Sequence, residues 1–140
     1  MTELAGRFRS AIDALNARGL DALDELLALY DAAVVFEDPM QKIEGIEAFA
    51  ELNRKMIAHA RSLRFDVHEV VEQNEQLFAT WTLHYAPRLG PSMKIGGATH
   101  VRVRDGRIVE HRDYWDLMSS VVDVIPGASR VYKSVMARFV

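Results

Sequence analysis

Apolar residues recur at helical spacing through Leu4, Phe8, Ala11, Ile12 and Leu15, and Gly19 follows where a left-handed C-terminal cap is wanted. The pattern predicts an amphipathic first helix. A second helical run begins at once, with Leu20, Leu23, Leu26, Leu27 and Tyr30 on one side and Asp21, Asp24 and Glu25 on the other, so the two are expected to form a hairpin. From Val34 to Glu37 the pattern becomes β-like. Asp38-Pro39 ends that short strand, because proline removes a ladder donor and pushes the preceding residue out of the helical region. A third helix then places Ile46, Phe49, Met56 and Ile57 on one face.

From residue 63 the period becomes two. Leu63, Phe65 and Val67 alternate with Arg64, Asp66 and His68, Asn74-Glu75 supplies a turn, and Leu77, Ala79, Trp81, Leu83 and Tyr85 alternate in the next run. A third strand is expected from Met93 to Arg104, with Gly96-Gly97 as a place where it bends over the helices. Asp105-Gly106 turns the chain into a last strand from Arg107 to about Trp115. After Pro126-Gly127, Ser129 is positioned to cap a final helix whose stripe is Val131, Tyr132, Val135, Met136 and Phe139, expected to dock on the domain or on a partner subunit. Helices followed by a long meander predict an α+β fold, a cone-shaped curved antiparallel sheet wrapped around the N-terminal helices, with an additional C-terminal helix. Such a cone has an apolar floor and an open mouth, the form of a small-molecule pocket.

Composition narrows the chemistry. The 140 residues fit one domain, with a core at about 4–118 and a helical extension at about 119–140. There are no cysteines, which excludes a disulfide framework, a thiolate metal cluster and a cysteine nucleophile. The net charge of -3 offers no overall attraction to nucleic acid or to an anionic membrane. It hides a split, since residues 1–51 carry 11 acids against 4 bases and residues 52–140 carry 9 acids against 13 bases, so the two layers are expected to attract. No apolar run is long enough for a membrane span, and Glu3 ahead of Arg7 lacks a signal peptide's basic-then-apolar order. A soluble cytoplasmic location is the expectation. No two histidines have zinc-site spacing, and phosphate-loop, nucleophile-elbow and nucleotide fingerprints are lacking, so no metal or organic cofactor is expected.

Three pieces carry a family resemblance: Ala14-Leu15-Asn16 with Leu20-Asp21, Phe36-Glu37-Asp38-Pro39, and Val103-Arg104-Asp105-Gly106-Arg107-Ile108. Over about residues 4–118 the chain resembles the nuclear transport factor 2-like superfamily, in the branch of SnoaL-like polyketide cyclases and ketosteroid isomerases. The resemblance implies a cystatin-like α+β roll and, by its Glu-Asp-Pro segment, places the isomerases' general base on Asp38. Their oxyanion hole, a tyrosine with a protonated aspartate, falls near Ala11 and Thr99, which speaks against steroid isomerisation itself. Related folds hydrolyse epoxides with an Asp/Arg/Asp set, but Arg112 and Asp113 are adjacent on a strand and should face opposite ways. Homologous folds often dimerise through the sheet, and the mixed outer face of Phe78, Thr80, Thr82 and His84 implies a homodimer here.

The last hairpin has two registers open to it. A two-residue Asp105-Gly106 loop pairs Arg104 with Arg107 and sets His100 opposite His111, whereas a three-residue loop pairs Val103 with Arg107 and Thr99 with His111. The second separates core from surface more cleanly, with Thr99, Val101, Val103, Val109, His111, Asp113 and Trp115 facing inward, and is preferred. His111 and Asp113 then share a face roughly 6.5 to 7 Å apart along the strand, an acid/base pair or a hydrated polar rim. Asp38 reads as a turn residue or as a base, and Trp81 as core or as a stacking surface. The candidate catalytic residues are therefore Asp38, His111 and Asp113, and the candidate substrate-binding residues are Phe36, Trp81, Tyr85, Thr99 and Trp115. His59, His68, His84 and His100 are expected on the surface or dimer face. The expected function is binding of a small, largely apolar molecule with metal-free proton transfer of isomerase, cyclase or dehydratase type. A non-catalytic binding module and a dimeric interaction scaffold are the alternatives.

Overall fold

The computed structural model describes residues 3–122 and 124–139. Helix α1 (Glu3–Arg18) is followed by a 3-10 turn (Gly19–Ala22) and α2 (Leu23–Leu27), then by β1 (Tyr30–Asp38), β2 (Gln41–Glu44) and α3 (Ile46–Ala58). Four long strands come next, β3 (Ala60–Gln73), β4 (Gln76–Pro87), β5 (Met93–Arg104) and β6 (Arg107–Trp115), and the chain ends in α4 (Leu117–Val122) and α5 (Ala128–Met136). The expected α+β roll is observed. Its six strands form one sheet in the order β2-β1-β6-β5-β4-β3, and α1, α2 and α3 fill its concave side.

The expected second helix is shorter than its apolar spacing suggests. Gly19 adopts φ of +59° and closes α1, α2 stops at Leu27, and Tyr30 opens a strand instead. The cause is pairing: the Ile108 amide donates to the Leu29 carbonyl at 2.9 Å and Tyr30 lies opposite Ile108. The Tyr30 side chain still enters the same core, so helical spacing carries across the junction unbroken. β1 is also longer than Val34–Asp38, with an irregularity where the Asp31 carboxylate accepts the Ala33 amide at 2.9 Å. β1 ends at Asp38 as expected, and the chain reverses there so that β2 pairs back on β1. β1 runs parallel to β6, so the antiparallel meander covers β3 to β6 only.

The last hairpin follows neither expected register. Asp105 and Gly106 both have positive φ (53° and 77°), as a two-residue turn of this hand requires, and Arg104 pairs with Arg107. A bulge follows: Val103 pairs with Ile108 but Arg102 pairs with Glu110, which leaves Val109 as the extra residue. The preferred three-residue loop is thus replaced by a tight turn plus a bulge, while the Val103 amide bonds to the Glu75 carbonyl at 2.8 Å. Beyond the bulge the inward set is the expected one, with Val101 opposite His111 and Thr99 opposite Asp113. Before it, Ile108 takes the buried place assigned to Val109.

The C-terminal helix forms, but its stripe lies open instead of docked on the domain, with Val131 64% and Phe139 79% exposed. α5 packs on α4, a helix the sequence reading did not include, and α4 rests on β5. The expected attraction between layers is not what these ion pairs express: Arg64–Asp66 and Arg102–Glu110 lie within the sheet, and Arg112–Glu37 joins β6 to β1 at 3.8 Å. No described helix is long and apolar enough to cross a membrane.

The bend expected at Gly96-Gly97 is where the sheet meets a large ring. Trp81 pairs with Gly97, and a Cβ added to Gly97 would lie 2.4 Å from the indole. Only glycine permits this approach. Gly97→Ala is therefore predicted to destabilise the fold by about 1–3 kcal/mol through overpacking, read as a lower urea midpoint with an unchanged slope. A neutral result would mean that the Trp81 ring moves aside freely.

Candidate active site in the cone

Between the helices and the sheet lies a cavity of about 260 Å³, close to the lower end of the range usual for small-molecule sites. Its floor is apolar, built by Phe8, Ile12 and Leu15 of α1, Leu26 of α2 and Phe49 of α3. Alternation along β6 turns His111, Asp113 and Trp115 toward it, and pairing with β5 brings Thr99 level with Asp113. Phe36 and Asp38 enter from β1, and Trp81 from β4. These seven candidates share one cavity. Tyr85 does not line it: its hydroxyl donates to the Met56 carbonyl at 2.9 Å and fastens β4 to α3, so the stacking role expected of it falls away. Strand alternation correctly turned Tyr85 to the helix side, but near the end of β4 that side meets the α3 backbone.

Trp81, Thr99, Asp113, His111 and Tyr30 form a single hydrogen-bonded chain along the cavity, and Asp38, Gln41 and Asn53 stand apart from it. The Trp81 indole N–H donates to Thr99 Oγ1 at 2.8 Å, and the Thr99 hydroxyl donates to Asp113 Oδ1 at 2.6 Å. His111 Nε2 lies 2.7 Å from the same oxygen, and the Tyr30 hydroxyl lies 2.8 Å from His111 Nδ1. The order of protons along this chain follows from burial. Tyr30 is 3% exposed, and His111 Nδ1 is its hydroxyl's only acceptor among the described residues, so the phenol proton points to Nδ1. His111 then donates from Nε2 to Asp113. Burial, and after it the negative charge of Asp113, push the Tyr30 phenol far above its usual range. Tyr30 remains a donor throughout the ordinary pH range.

Asp113 Oδ2 accepts no hydrogen bond from a described residue and is not sealed off, since every fully buried side-chain polar atom has a partner. It is the free end of the chain. Phe36 and Phe49 pack on the His111 ring with centroids at 5.1 and 5.8 Å and hold its orientation. Asp38 takes its expected turn role, with Oδ1 accepting the amides of Met40 (2.8 Å) and Gln41 (3.1 Å) in the β1–β2 turn, and it also lines the cavity. The parallel register sets Phe36 beside His111 and Glu37 beside Arg112. The paired register ends there, and Asp38 and Asp113 are the next residues along the two strands, both lining the cavity.

Tyr30 is the functional residue that sequence reasoning missed, because its spacing continued a helical stripe. Gln41 and Asn53 also line the cavity, and the Asn53 amide donates to the Phe49 carbonyl at 2.8 Å. Arg112 points outward, as expected, with its guanidinium 4.9 Å above the Tyr114 ring. The outer histidines do too: His68 meets Thr82, His84 meets Asp66, and His100 meets Gln76 and stacks on Phe78. No group of three metal-ligating side chains occurs among the described residues.

The structure is a helix-lined cone of curved sheet with a polar seam in a largely apolar cavity. The chain belongs to the SnoaL-like domain family, whose model matches residues 8–111. Among solved structures it is similar to an NTF2-like protein of unknown function from Burkholderia pseudomallei (19% identity, 91% of this chain and 100% of that one, TM-score 0.76). It is also similar to an LEH-like epoxide hydrolase from M. tuberculosis (19% identity, 94% and 96% covered, TM-score 0.74). A third similar structure is a hypothetical protein with a ketosteroid isomerase-like fold from Catenulispora acidiphila, in complex with trimethylamine (16% identity, 89% and 92% covered, TM-score 0.72). At these identities the likeness concerns the fold alone. No curated protein matches the chain.

The Tyr30 bond yields a test with a worked sign. A tyrosine in the unfolded chain ionises near about pH 10, whereas folded Tyr30 keeps its proton, so above that pH the unfolded state binds fewer protons and stability falls as pH rises. Wild type should therefore lose stability more steeply than Tyr30→Phe above about pH 10, by about 1.4 kcal/mol per pH unit. Near neutral pH Tyr30→Phe should itself cost about 1–3 kcal/mol by stranding His111 Nδ1. Urea melts of both proteins across this range measure both effects, and parallel slopes would refute the buried donor.

Proposed function

We propose that this chain binds a small, largely apolar molecule in the cone and moves a proton on it without metal or organic cofactor. The observation that carries the reading is the placement of polar groups. A largely apolar cavity holds one ordered polar chain that leaves Oδ2 of Asp113 free, and Asp38, on the neighbouring strand, lines the same space. In this reading Asp113 takes a proton from the substrate on Oδ2. His111 and Thr99 hold its other oxygen, and Tyr30 fixes the His111 tautomer. The same oxygen then returns that proton to the substrate at its new position, and Asp38, oriented by its turn, is a second carboxylate lining the cavity. Isomerisation, cyclisation and dehydration each need this pair of transfers.

Two narrower activities fit less well. Ala11 is buried in the core and the Thr99 hydroxyl is committed to Asp113, so the donor pair of the steroid isomerases has no counterpart at those positions. Epoxide hydrolysis by an Asp/Arg/Asp set requires an arginine in the cavity, and no described arginine lines it.

Solvent deuterium exchange at the carbon next to the carbonyl of a cyclic ketone, followed by NMR, tests the reaction class directly. Wild type is expected to accelerate exchange, and Asp113→Asn to reduce that acceleration by about 10²–10⁴-fold. His111→Ala should reduce it as well. Binding of the ketone without exchange would place the chain among non-catalytic binding modules, and full activity in both variants would overturn the site assignment.

A further inference from the structure

The charge inventory of the cavity is one-sided. Asp38 and Asp113 both line it, and no described lysine or arginine does. Elsewhere on the molecule carboxylates meet guanidinium groups, as in Arg64–Asp66, Arg102–Glu110 and Arg54–Glu51. His111 has both ring nitrogens engaged, Nδ1 with the Tyr30 phenol and Nε2 with Asp113, so neither is left to face a ligand. The negative charge on Asp113 is hydrogen-bonded but not cancelled. Aromatic rings surround the two carboxylates, with Phe36, Phe49, Phe65, Trp81 and Trp115 all lining the space. Carboxylates attract a cation, and π faces do so too once water is excluded. Low-dielectric walls strengthen both effects.

We propose that the ligand of this cavity is a small apolar molecule bearing one protonated amine. Its ammonium group sits between Asp38 and Asp113, and its hydrocarbon body lies against the aromatic and aliphatic floor. The same charges exclude carboxylates and phosphates. This inference rests on the reading of the cone as a ligand site and narrows the class of molecule that enters it.

The test compares three ligands of similar size and shape: N,N-dimethylcyclohexylamine, cyclohexyl methyl ketone and cyclohexanecarboxylate. Calorimetric titration of the full chain at about pH 7 measures affinity, and the indole N–H signals of Trp81 and Trp115 report whether the ligand enters the cone. The amine is expected to bind at least about tenfold more tightly than the ketone, and the carboxylate not at all. In the combined Asp38→Asn, Asp113→Asn variant, whose amides keep the oxygen acceptors, the preference for the amine over the ketone should vanish. If the ketone or the carboxylate binds wild type as tightly as the amine, the cation preference is overturned and the ligand site stands. If none of the three binds, the ligand-site reading fails with it. An amine preference that survives in the folded double variant removes Asp38 and Asp113 as its source. The wild-type comparison decides the matter even if that variant does not fold.

Discussion

The hydrogen bond between Tyr30 and His111 fixes more of this site than any other contact. It joins the first residue of β1 to a strand 81 positions away and depends on the parallel pairing that closes the sheet. Because the phenol is buried and cannot ionise near neutral pH, its proton has one place to go. That single constraint sets the tautomer of His111, which sets the direction of its bond to Asp113, which leaves one carboxylate oxygen free. The aromatic packing of Phe36 and Phe49 against His111 prevents the ring from turning to escape it. An imidazole with only one neighbour fixed has a choice of tautomers. This one does not.

The opposite end of the chain is fixed by shape instead of by protons. Trp81 reaches Thr99 only because its ring lies across the bare backbone of Gly97, so the bend of β5 and the orientation of Asp113 are parts of one packing solution. Phe65 meets the same indole edge to face at 5.6 Å. Curvature that makes the cone therefore also positions the polar seam inside it. A substitution that flattens the sheet acts on the site without touching a candidate catalytic residue.

Much of this was legible in the sequence, for identifiable reasons. Alternation on β6 turned His111, Asp113 and Trp115 inward, because a period of two allows only two assignments and one of them buries arginines. Asp38 was placed at a strand end by the proline after it. Tyr30 was not found, since a residue that ends a helical stripe and a residue that begins a strand can point into the same core. The parallel β1–β6 pairing that distinguishes them is a long-range contact with no local signature. The hairpin register was missed for a related reason. The tight Asp105-Gly106 turn and the bulge at Val109 shift the pairing in succession, and only the sum decides which residue faces His111. The position of α5 depends on contacts that its own amphipathic pattern does not specify.

Asp38 shows why the structural and the chemical readings of a turn aspartate need not compete. A carboxylate has two oxygens, and the turn uses one of them: Oδ1 takes both backbone amides, while Oδ2 has only the Gln41 side-chain amide at 3.4 Å. Asp113 divides its oxygens in the same way, with Oδ1 engaged by His111 and Thr99 and Oδ2 free. In each case the engaged oxygen holds the group in place at no expense to the other. Two carboxylates held rigidly by one oxygen apiece, on adjacent strands and facing the same apolar space, present a fixed pair of acceptors to whatever enters. The net charge of -3 gives no hint of this, because what matters in the cavity is that two acids arrive there, one from the acidic half of the chain and one from the basic half, with no described lysine or arginine lining it.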